Sequence, residues 1–211
     1  MRLIDASVDN LEMAVNEAVE TLRKGGIVAC PTETYYGLCA RYDDEAALER
    51  LFALKGSRRQ AKPSPLIIGS EDALPLLVPE RGNLFEKLSR RFWPGPLTLV
   101  VRALPNLSSR VEKEGKVALR MPGASFALVL AKAIGLPLTA TSANPSGLKP
   151  ARSAAQVAEY FKEGVDLIID AGEAPGGPPS TIVDSTGDAP VLLRQGAIRF
   201  EEIEKYLSGP V

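Results

Sequence analysis

The sequence contains no histidine among its 211 residues. A Ser-His-Asp or Cys-His catalytic system is therefore excluded, as are metal sites with histidine ligands. A general base at neutral pH would have to be a carboxylate, a lysine, a cysteine or the substrate itself. Cysteine is scarce too, since Cys30 and Cys39 are the only two. Two thiolates alone cannot complete a tetrahedral zinc site. We expect both thiols to be buried and reduced.

Long apolar runs are also absent. No stretch of about 18 apolar residues occurs, so we expect no transmembrane helix, and residues 1–10 lack the apolar centre of a signal peptide. These absences favour a cytoplasmic protein that does not bind membranes. The 25 Lys and Arg against 26 Asp and Glu exclude a globally basic, nucleic-acid-coating surface, though not a local basic patch. The Walker and Rossmann glycine motifs are both missing.

What is present is the composition of a globular α/β domain, with 45% apolar and 24% charged residues. The length and the absence of a linker predict one domain over residues 1–211. Periodicity and capping residues predict helices at Asp9–Lys24, Asp43 or Asp44 to Lys55, Leu84–Phe92, Ser125–Ile134, Ser153–Phe161 and Glu201–Leu207. Short apolar runs predict strands at Ile27–Cys30, Leu66–Ile68, Leu97–Arg102, Val117–Arg120, Pro137–Thr141, Val165–Asp170, Thr181–Asp184 and Val191–Arg194. Because some strands follow one another directly, we expect a mixed sheet and a single central cleft.

Two hydroxyl-rich segments follow predicted strands. Residues 31–38 carry two threonines and a glutamate, and residues 139–147 carry Thr, Ser and Asn around a proline. Such groups at the ends of strands suit a crevice that binds an anionic ligand. By pattern alone, a turn closed by hydroxyl groups explains the first segment about as well, and a helix-capping turn explains the second. The Gly- and Pro-rich stretch Gly172–Pro179 is more typical of a site loop than of a linker.

Cations are concentrated in one segment of a chain that is otherwise balanced in charge. Residues 50–62 hold five Lys or Arg and no acid, and cations around a glycine can surround a triphosphate. The alternative is a solvated basic loop. Arg120 and Arg194 each end an apolar strand. A lone arginine there is often a surface ion pair, whereas two beside the basic segment indicate an anion site.

Seven segments in order resemble the YrdC/YciO family over nearly the whole chain. They are Pro31-Thr32-Glu33-Thr34-x-Tyr36-Gly37-Leu38, Lys55-Gly56 with its arginines, Trp93-Pro94-Gly95-Pro96-Leu97-Thr98, Ala118-Leu119-Arg120-Met121-Pro122, Ser142-Ala143-Asn144-x-Ser146-Gly147, Ser180-Thr181-Ile182-Val183-Asp184 and Leu193-Arg194-x-Gly196. The resemblance implies an open twisted α/β sheet with flanking helices and a positively charged concave face. Longer members carry an additional C-terminal domain, and we expect this chain to be the single-domain form.

The resemblance also implies an activity, L-threonylcarbamoyladenylate synthesis. Such an enzyme joins L-threonine, bicarbonate and ATP, with Mg2+ on the phosphates, into threonylcarbamoyl-AMP and pyrophosphate. Partner proteins then transfer the group to an adenosine of tRNA. The lack of histidine agrees with this chemistry, because a threonine carbamate is already a nucleophilic anion. The alternative is a non-catalytic, YciO-like protein that binds nucleotide or RNA. With either reading we expect RNA contact to be weak and strongly salt-dependent.

The resemblance assigns site residues position by position. It assigns L-threonine to Thr34, Arg120, Ala140 and Ser180. It assigns ATP to Lys55, Arg58, Arg59, Lys62, Ser142, Asn144 and Arg194, with Lys55 and Arg58 as the catalytic pair. The chain departs from the family at Ser57, which stands where an arginine is usual; Arg58 is our first choice for that phosphate contact and Arg59 the alternative.

Overall fold

A computed structural model describes residues 1–56 and 62–209 as a mixed α/β fold. The helices are α1 (Leu11–Arg23), α2 (Glu45–Leu54), α3 (Asn83–Phe92), α4 (Phe126–Ile134), α5 (Ala154–Phe161) and α6 (Phe200–Ser208). The strands are β1 (Arg2–Asp5), β2 (Val28–Pro31), β3 (Tyr36–Cys39), β4 (Leu66–Ile67), β5 (Leu97–Arg102), β6 (Glu112–Lys113), β7 (Lys116–Arg120), β8 (Leu138–Thr139), β9 (Thr141–Ser142), β10 (Leu167–Asp170), β11 (Thr181–Asp184) and β12 (Val191–Arg194). Every predicted helix is present.

The strands form two mixed sheets rather than the one that we expected. The first has the order β1-β10-β2-β3-β9, and the second β12-β11-β5-β7-β4-β8 with β6 beside β7. Parallel and antiparallel neighbours occur in both, for example β10 with β2 and β2 with β3. The predicted strand Pro137–Thr141 is divided at Ala140, so β8 lies in the second sheet and β9 in the first. The chain therefore changes sheets within that segment.

Alternate residues of the same strands pack into two apolar layers. Ile27 and Ala29 belong to the larger layer, which includes apolar side chains of α2, α3 and α5. Val28 and Cys30 belong to the smaller layer, under α1 and α4. Because successive side chains of a strand point to opposite faces, the two layers are the two faces of shared strands.

Local sequence signals explain where several helices begin and end. The Asp44 carboxylate caps α2 by accepting from the Ala47 amide at 2.9 Å, and the hydroxyls of Ser125 and Ser153 cap α4 and α5. Helix α3 ends at Phe92, directly before Trp93-Pro94-Gly95-Pro96, where proline cannot continue a helix.

The structure confirms the expected state of the two cysteines. Cys30 and Cys39 lie on the neighbouring strands β2 and β3, are fully buried and are not bonded to each other. Their sulfur atoms are 3.9 Å apart. The neighbouring thiol and burial together raise the pKa of Cys30 well above its ordinary value, so this thiol is unreactive in the folded state.

Across residues 1–56 and 62–209, no helix is both long and apolar enough to cross a membrane.

Candidate functional site

A cleft of about 490 Å3 lies where the two sheets meet. The first sheet contributes β3, β9 and the turn before β3, and the second contributes residues of β4, β5 and β7 and the two ends of the β11–β12 hairpin. This volume is within the range of about 300–1,000 Å3 that is usual for small-molecule sites. Its lining residues are Thr32, Thr34, Tyr35, Tyr36, Gly37, Pro65, Leu66, Ile67, Thr98, Arg120, Ala140, Thr141, Ser142, Pro150, Pro179, Ser180 and Arg194.

The turn between β2 and β3 is closed by a threonine hydroxyl. Thr32 Oγ1 accepts from the main-chain amides of Thr34 and Tyr35 at 3.1 and 3.3 Å, and it donates to the Tyr35 carbonyl at 2.8 Å. The Thr34 hydroxyl lies 3.1 Å from it. The buried Thr32 thus fixes the turn and leaves the half-buried Thr34 on the cleft surface. The sequence left a turn closed by hydroxyl groups and a crevice as alternatives. The structure combines them, because the turn that Thr32 closes also lines the cleft.

A buried ion pair joins the two walls of the cleft. Arg120 Nη1, at the end of β7, donates to Glu33 Oε1 in the β2–β3 turn at 2.6 Å. The side chains are only 10% and 17% exposed. Burial lowers the pKa of Arg120, and the nearby Glu33 carboxylate opposes that effect. Because a guanidinium group is not deprotonated in proteins, Arg120 remains charged at neutral pH.

Arg194 is held against the start of β11. Its Nη2 donates to the Ser180 carbonyl at 2.7 Å and to the Ser180 hydroxyl at 3.1 Å. The same hydroxyl lies 2.8 Å from Thr98 Oγ1 on β5. Burial and repulsion from Arg120 both lower the pKa of Arg194. Two guanidinium groups therefore face one cleft, which favours an anionic ligand.

Lys55 is not among the described residues that line the cleft. Its ammonium group donates to the main-chain carbonyls of Ser142 and Asn144, the latter at 3.0 Å, and its own carbonyl accepts from the Ser146 amide at 2.9 Å. Burial lowers its pKa to about 8. Asn144 is held in turn by the Leu148 carbonyl at 2.7 Å, and its Oδ1 accepts from the Ser142 hydroxyl at 2.6 Å. Lys55 and Asn144 therefore shape the loop that presents Ser142.

The Gly- and Pro-rich stretch from Gly172 to Pro179 is fastened to the cleft, as expected of a site loop. The Gly176 amide donates to the Thr34 carbonyl at 2.6 Å, and the Tyr35 hydroxyl donates to the Gly177 carbonyl at 2.9 Å. Pro179 itself lines the cleft.

Six of the predicted site residues share the cleft: Thr34, Arg120, Ala140, Ser142, Ser180 and Arg194. Lys62 is exposed and is not among the described residues that line it. Arg58 and Arg59 lie outside the described residues. Sequence reasoning assigned no role to Thr32, Glu33 or Thr98, although each stands within a segment that resembles the family.

The described part of the chain holds no group of three or more Cys, Asp or Glu that could bind a metal ion. Within the described ranges, none of the residues lining the cleft is acidic. The cleft therefore offers hydroxyl and guanidinium donors, which suit phosphate and carboxylate oxygens.

Residues 20–196 match the family model Sua5_yciO_yrdC, described as "Telomere recombination". The chain belongs to the Sua5/YciO/YrdC family. It is 43% identical over 198 residues to the threonylcarbamoyl-AMP synthase of Pyrococcus abyssi, covering 93% of this chain and 58% of that one. It is 37% identical over 201 residues to the Bacillus subtilis protein of the same name, covering 93% and 57%.

A crystal structure of P. abyssi Sua5 complexed with L-threonine superposes with a TM-score of 0.88 at 38% identity, covering 98% of this chain and 60% of that one. The chain thus spans slightly more than half the length of these relatives. The family resemblance read from the sequence is confirmed, and so is the mixed α/β fold.

Proposed function

We propose that this Sua5/YciO/YrdC chain is a threonylcarbamoyl-AMP synthase, which forms threonylcarbamoyl-AMP and pyrophosphate from L-threonine, bicarbonate and ATP. The observation that carries the proposal is the cleft, in which two arginines and several hydroxyl groups converge from both sheets. The names of the two relatives and the threonine complex of P. abyssi Sua5 support the choice of substrates.

The residues divide between the two substrates. Arg120 provides a buried cation for the carboxylate of L-threonine, with the hydroxyls of Thr34 and Ser180 beside it. Arg194 and the loop that presents Ser142 face the nucleotide. Lys55 preorganises that loop, and Arg58, Arg59 and Lys62 remain proposed phosphate contacts. Because the described residues that line the cleft include no carboxylate, we propose that Mg2+ enters with ATP on its phosphates and water.

The reaction proposed here needs no protein base for its adenylation step. The threonine amine and bicarbonate form a carbamate with loss of water. A carbamate oxygen attacks the α-phosphorus of ATP, the bond to the β-phosphate oxygen breaks, and pyrophosphate leaves with the electron pair. The protein holds two anions together and stabilises charge on the phosphates. Partner proteins of tRNA modification would then use the product in the cytoplasm.

Release of pyrophosphate, with each substrate omitted in turn, tests this function. We expect release only when L-threonine, bicarbonate and Mg-ATP are all present, together with a threonylcarbamoyl-AMP product seen by mass spectrometry. Arg120→Ala should raise the KM for threonine and leave the KM for ATP nearly unchanged, whereas Arg23→Ala on the exposed side of α1 should change neither. A protein that binds nucleotide but releases no pyrophosphate would instead be the non-catalytic, YciO-like alternative.

A further inference from the structure

Glu33 is a buried carboxylate to which the proposed chemistry gives no task. It lies in the turn between β2 and β3, next to Thr34, on the first-sheet side of the cleft. Its Oε1 accepts from Arg120 Nη1, while its Oε2 is buried without a hydrogen-bond partner among the residues described. Nothing else about a turn closed by Thr32 requires a carboxylate at this position.

The backbone of Arg120 is fixed, but its side chain depends on Glu33. Arg120 is paired with Ile67 across β7 and β4, and its carbonyl accepts from the Ile68 amide at 3.0 Å. Within residues 1–56 and 62–209, the contact with Glu33 is the one hydrogen bond that its guanidinium makes. Because the long Arg120 side chain makes this single hydrogen bond, Glu33 determines the direction in which the guanidinium points.

Glu33 is itself held in place. The main chain at Gly123 lies against it, so that a Cβ built there would be 3.5 Å from the Glu33 Cγ. The turn that carries Glu33 is closed by the Thr32 hydroxyl. The carboxylate is therefore a rigid support and not a mobile surface group.

We propose that Glu33 is a positioning residue, which orients the Arg120 guanidinium so that its remaining N–H groups face the carboxylate of L-threonine. The inference rests on the proposed function. A guanidinium has five N–H donors, and Glu33 accepts from Arg120 through one hydrogen bond at 2.6 Å. Most of the donors therefore stay available for the carboxylate of L-threonine. Glu33 does not touch the substrate in this role.

A competing role for Glu33 predicts the opposite effect of its removal on threonine binding. If it acted mainly as an anion that neutralises Arg120, its removal would strengthen threonine binding. As a support, its removal leaves a guanidinium that is only 10% exposed without a counter-charge, and such a group shifts toward water. Threonine binding would then weaken. The burial of both partners favours the second outcome.

The test compares Glu33→Ala with Glu33→Gln in the complete protein. Alanine removes the support, so we expect the KM for L-threonine to rise at least about tenfold, while the KM for ATP changes less than about twofold. Glutamine keeps the oxygen that faces Arg120, and its amide nitrogen replaces an oxygen that has no partner. We therefore expect a rise of only about threefold for Glu33→Gln. Calorimetric titration with L-threonine alone should likewise show weaker binding by Glu33→Ala than by Glu33→Gln.

Asp43→Asn is the matched control. It removes the charge of another carboxylate that pairs with an arginine, Arg41, at 2.8 Å, and neither residue lines the cleft. We expect it to leave both KM values unchanged.

If Glu33→Ala fails to fold, the effect of Glu33→Gln can be compared between the wild-type protein and the Arg120→Ala variant. Glu33→Gln should raise the threonine KM in the wild-type protein and should add nothing in Arg120→Ala, because Glu33 acts through Arg120. Three results would overturn the inference while leaving the proposed function intact. They are an equal effect of Glu33→Gln in both proteins, a lowered KM for L-threonine, and an unchanged KM for L-threonine in Glu33→Ala. Absence of threonine-dependent pyrophosphate release by the wild-type protein would overturn both.

Discussion

At the scale of single residues, Lys55 makes contacts that its sequence position did not indicate. The family resemblance assigned it to ATP at the end of a predicted helix. In the structure its ammonium group donates to the carbonyls of Ser142 and Asn144. These contacts shape the loop in which Ser142 reaches the cleft, and the assignment of Lys55 to ATP stays a prediction.

Lys55→Ala should remove most of the activity. Losing the ammonium group frees two carbonyls that it now holds, so the loop is no longer preorganised for the nucleotide. By analogy with the loss of one preorganised donor, we expect kcat/KM for ATP to fall about 10²–10³-fold, or about 2.7–4 kcal/mol. Steady-state kinetics measure this effect. Lys24→Ala is the control, because that lysine also follows a helix but is exposed; an equal loss there would contradict the assignment.

The pH dependence of the reaction should show Lys55 directly. Burial lowers its pKa to about 8, so the charged form that binds the two carbonyls disappears as the pH rises through that value. We expect kcat/KM to fall on the alkaline side with a midpoint near pH 8. A guanidinium stays charged throughout this range, so in Lys55→Arg the fall should move to higher pH. If the fall stays at the same pH in Lys55→Arg, it belongs to another group.

The cleft could be predicted in part because its polar residues lie at or next to the ends of strands. Ser142 and Arg194 end β9 and β12, Ser180 directly precedes β11, and Thr34 lies in the turn between β2 and β3. The fold brings these positions together. Thr98 could not be found in this way. It lies inside the apolar run of β5, and its partner Ser180 is 82 residues away in the chain.

At the scale of elements, the β11–β12 hairpin depends on the absence of a side chain. A Cβ at Gly196 would lie 2.2 Å from the Pro179 carbonyl oxygen and 2.5 Å from the Ser180 carbonyl carbon. Both are backbone atoms, which cannot move aside as a flexible side chain would. Gly196 thus permits the close approach that holds Ser180 and Arg194 together.

Gly196→Ala should lower both stability and activity. Forcing a methyl group into a packed site typically costs about 1–3 kcal/mol, or roughly 2–12 °C in Tm for a chain of this length. Thermal unfolding followed by circular dichroism measures the loss. Gly187→Ala is the matched control in the turn of the same hairpin, because a Cβ there meets nothing within 4 Å. Equal Tm values for the two variants would show that this contact is unimportant.

Elements with a strong local signal could be predicted, and elements defined by distant partners could not. The helices have periodic apolar positions and capping residues such as Asp44 and Ser125. Strand β3 was missed because its residues follow a hydroxyl-rich turn, and it becomes a strand through pairing with β2. Strand β1 is mostly exposed at a sheet edge, so it lacks the buried apolar run that marks a strand.

At the scale of the whole molecule, charge is balanced while the cleft is positive. The net charge is −1, and among the described residues the cleft lining holds two arginines and no acid. The Glu33 carboxylate offsets the charge of Arg120, and the balanced net charge gives the molecule no long-range attraction for a polyanion.

Binding of RNA should therefore be weak and steeply dependent on salt. Each phosphate neutralised contributes a slope of about −0.7 to the plot of log K against log salt for a single strand. We expect binding of a labelled oligonucleotide near 50 mM salt and its loss by 200 mM, measured by fluorescence anisotropy. Tight binding that persists at high salt would indicate a surface dedicated to RNA.

The two apolar layers should unfold together, because they are built on shared strands. Removing the smaller layer would expose Val28 and Cys30, and Ala29 between them on the same strand packs in the larger layer. The chain supplies a reporter for each layer: its single tryptophan, Trp93, packs against the larger layer, and both cysteines are buried in the smaller one. In urea, tryptophan fluorescence and thiol labelling should therefore give coincident midpoints, as a two-state transition requires. Labelling of the cysteines at a lower urea concentration than the fluorescence change would show that the layers are separate units, which would contradict the prediction of one domain over residues 1–211.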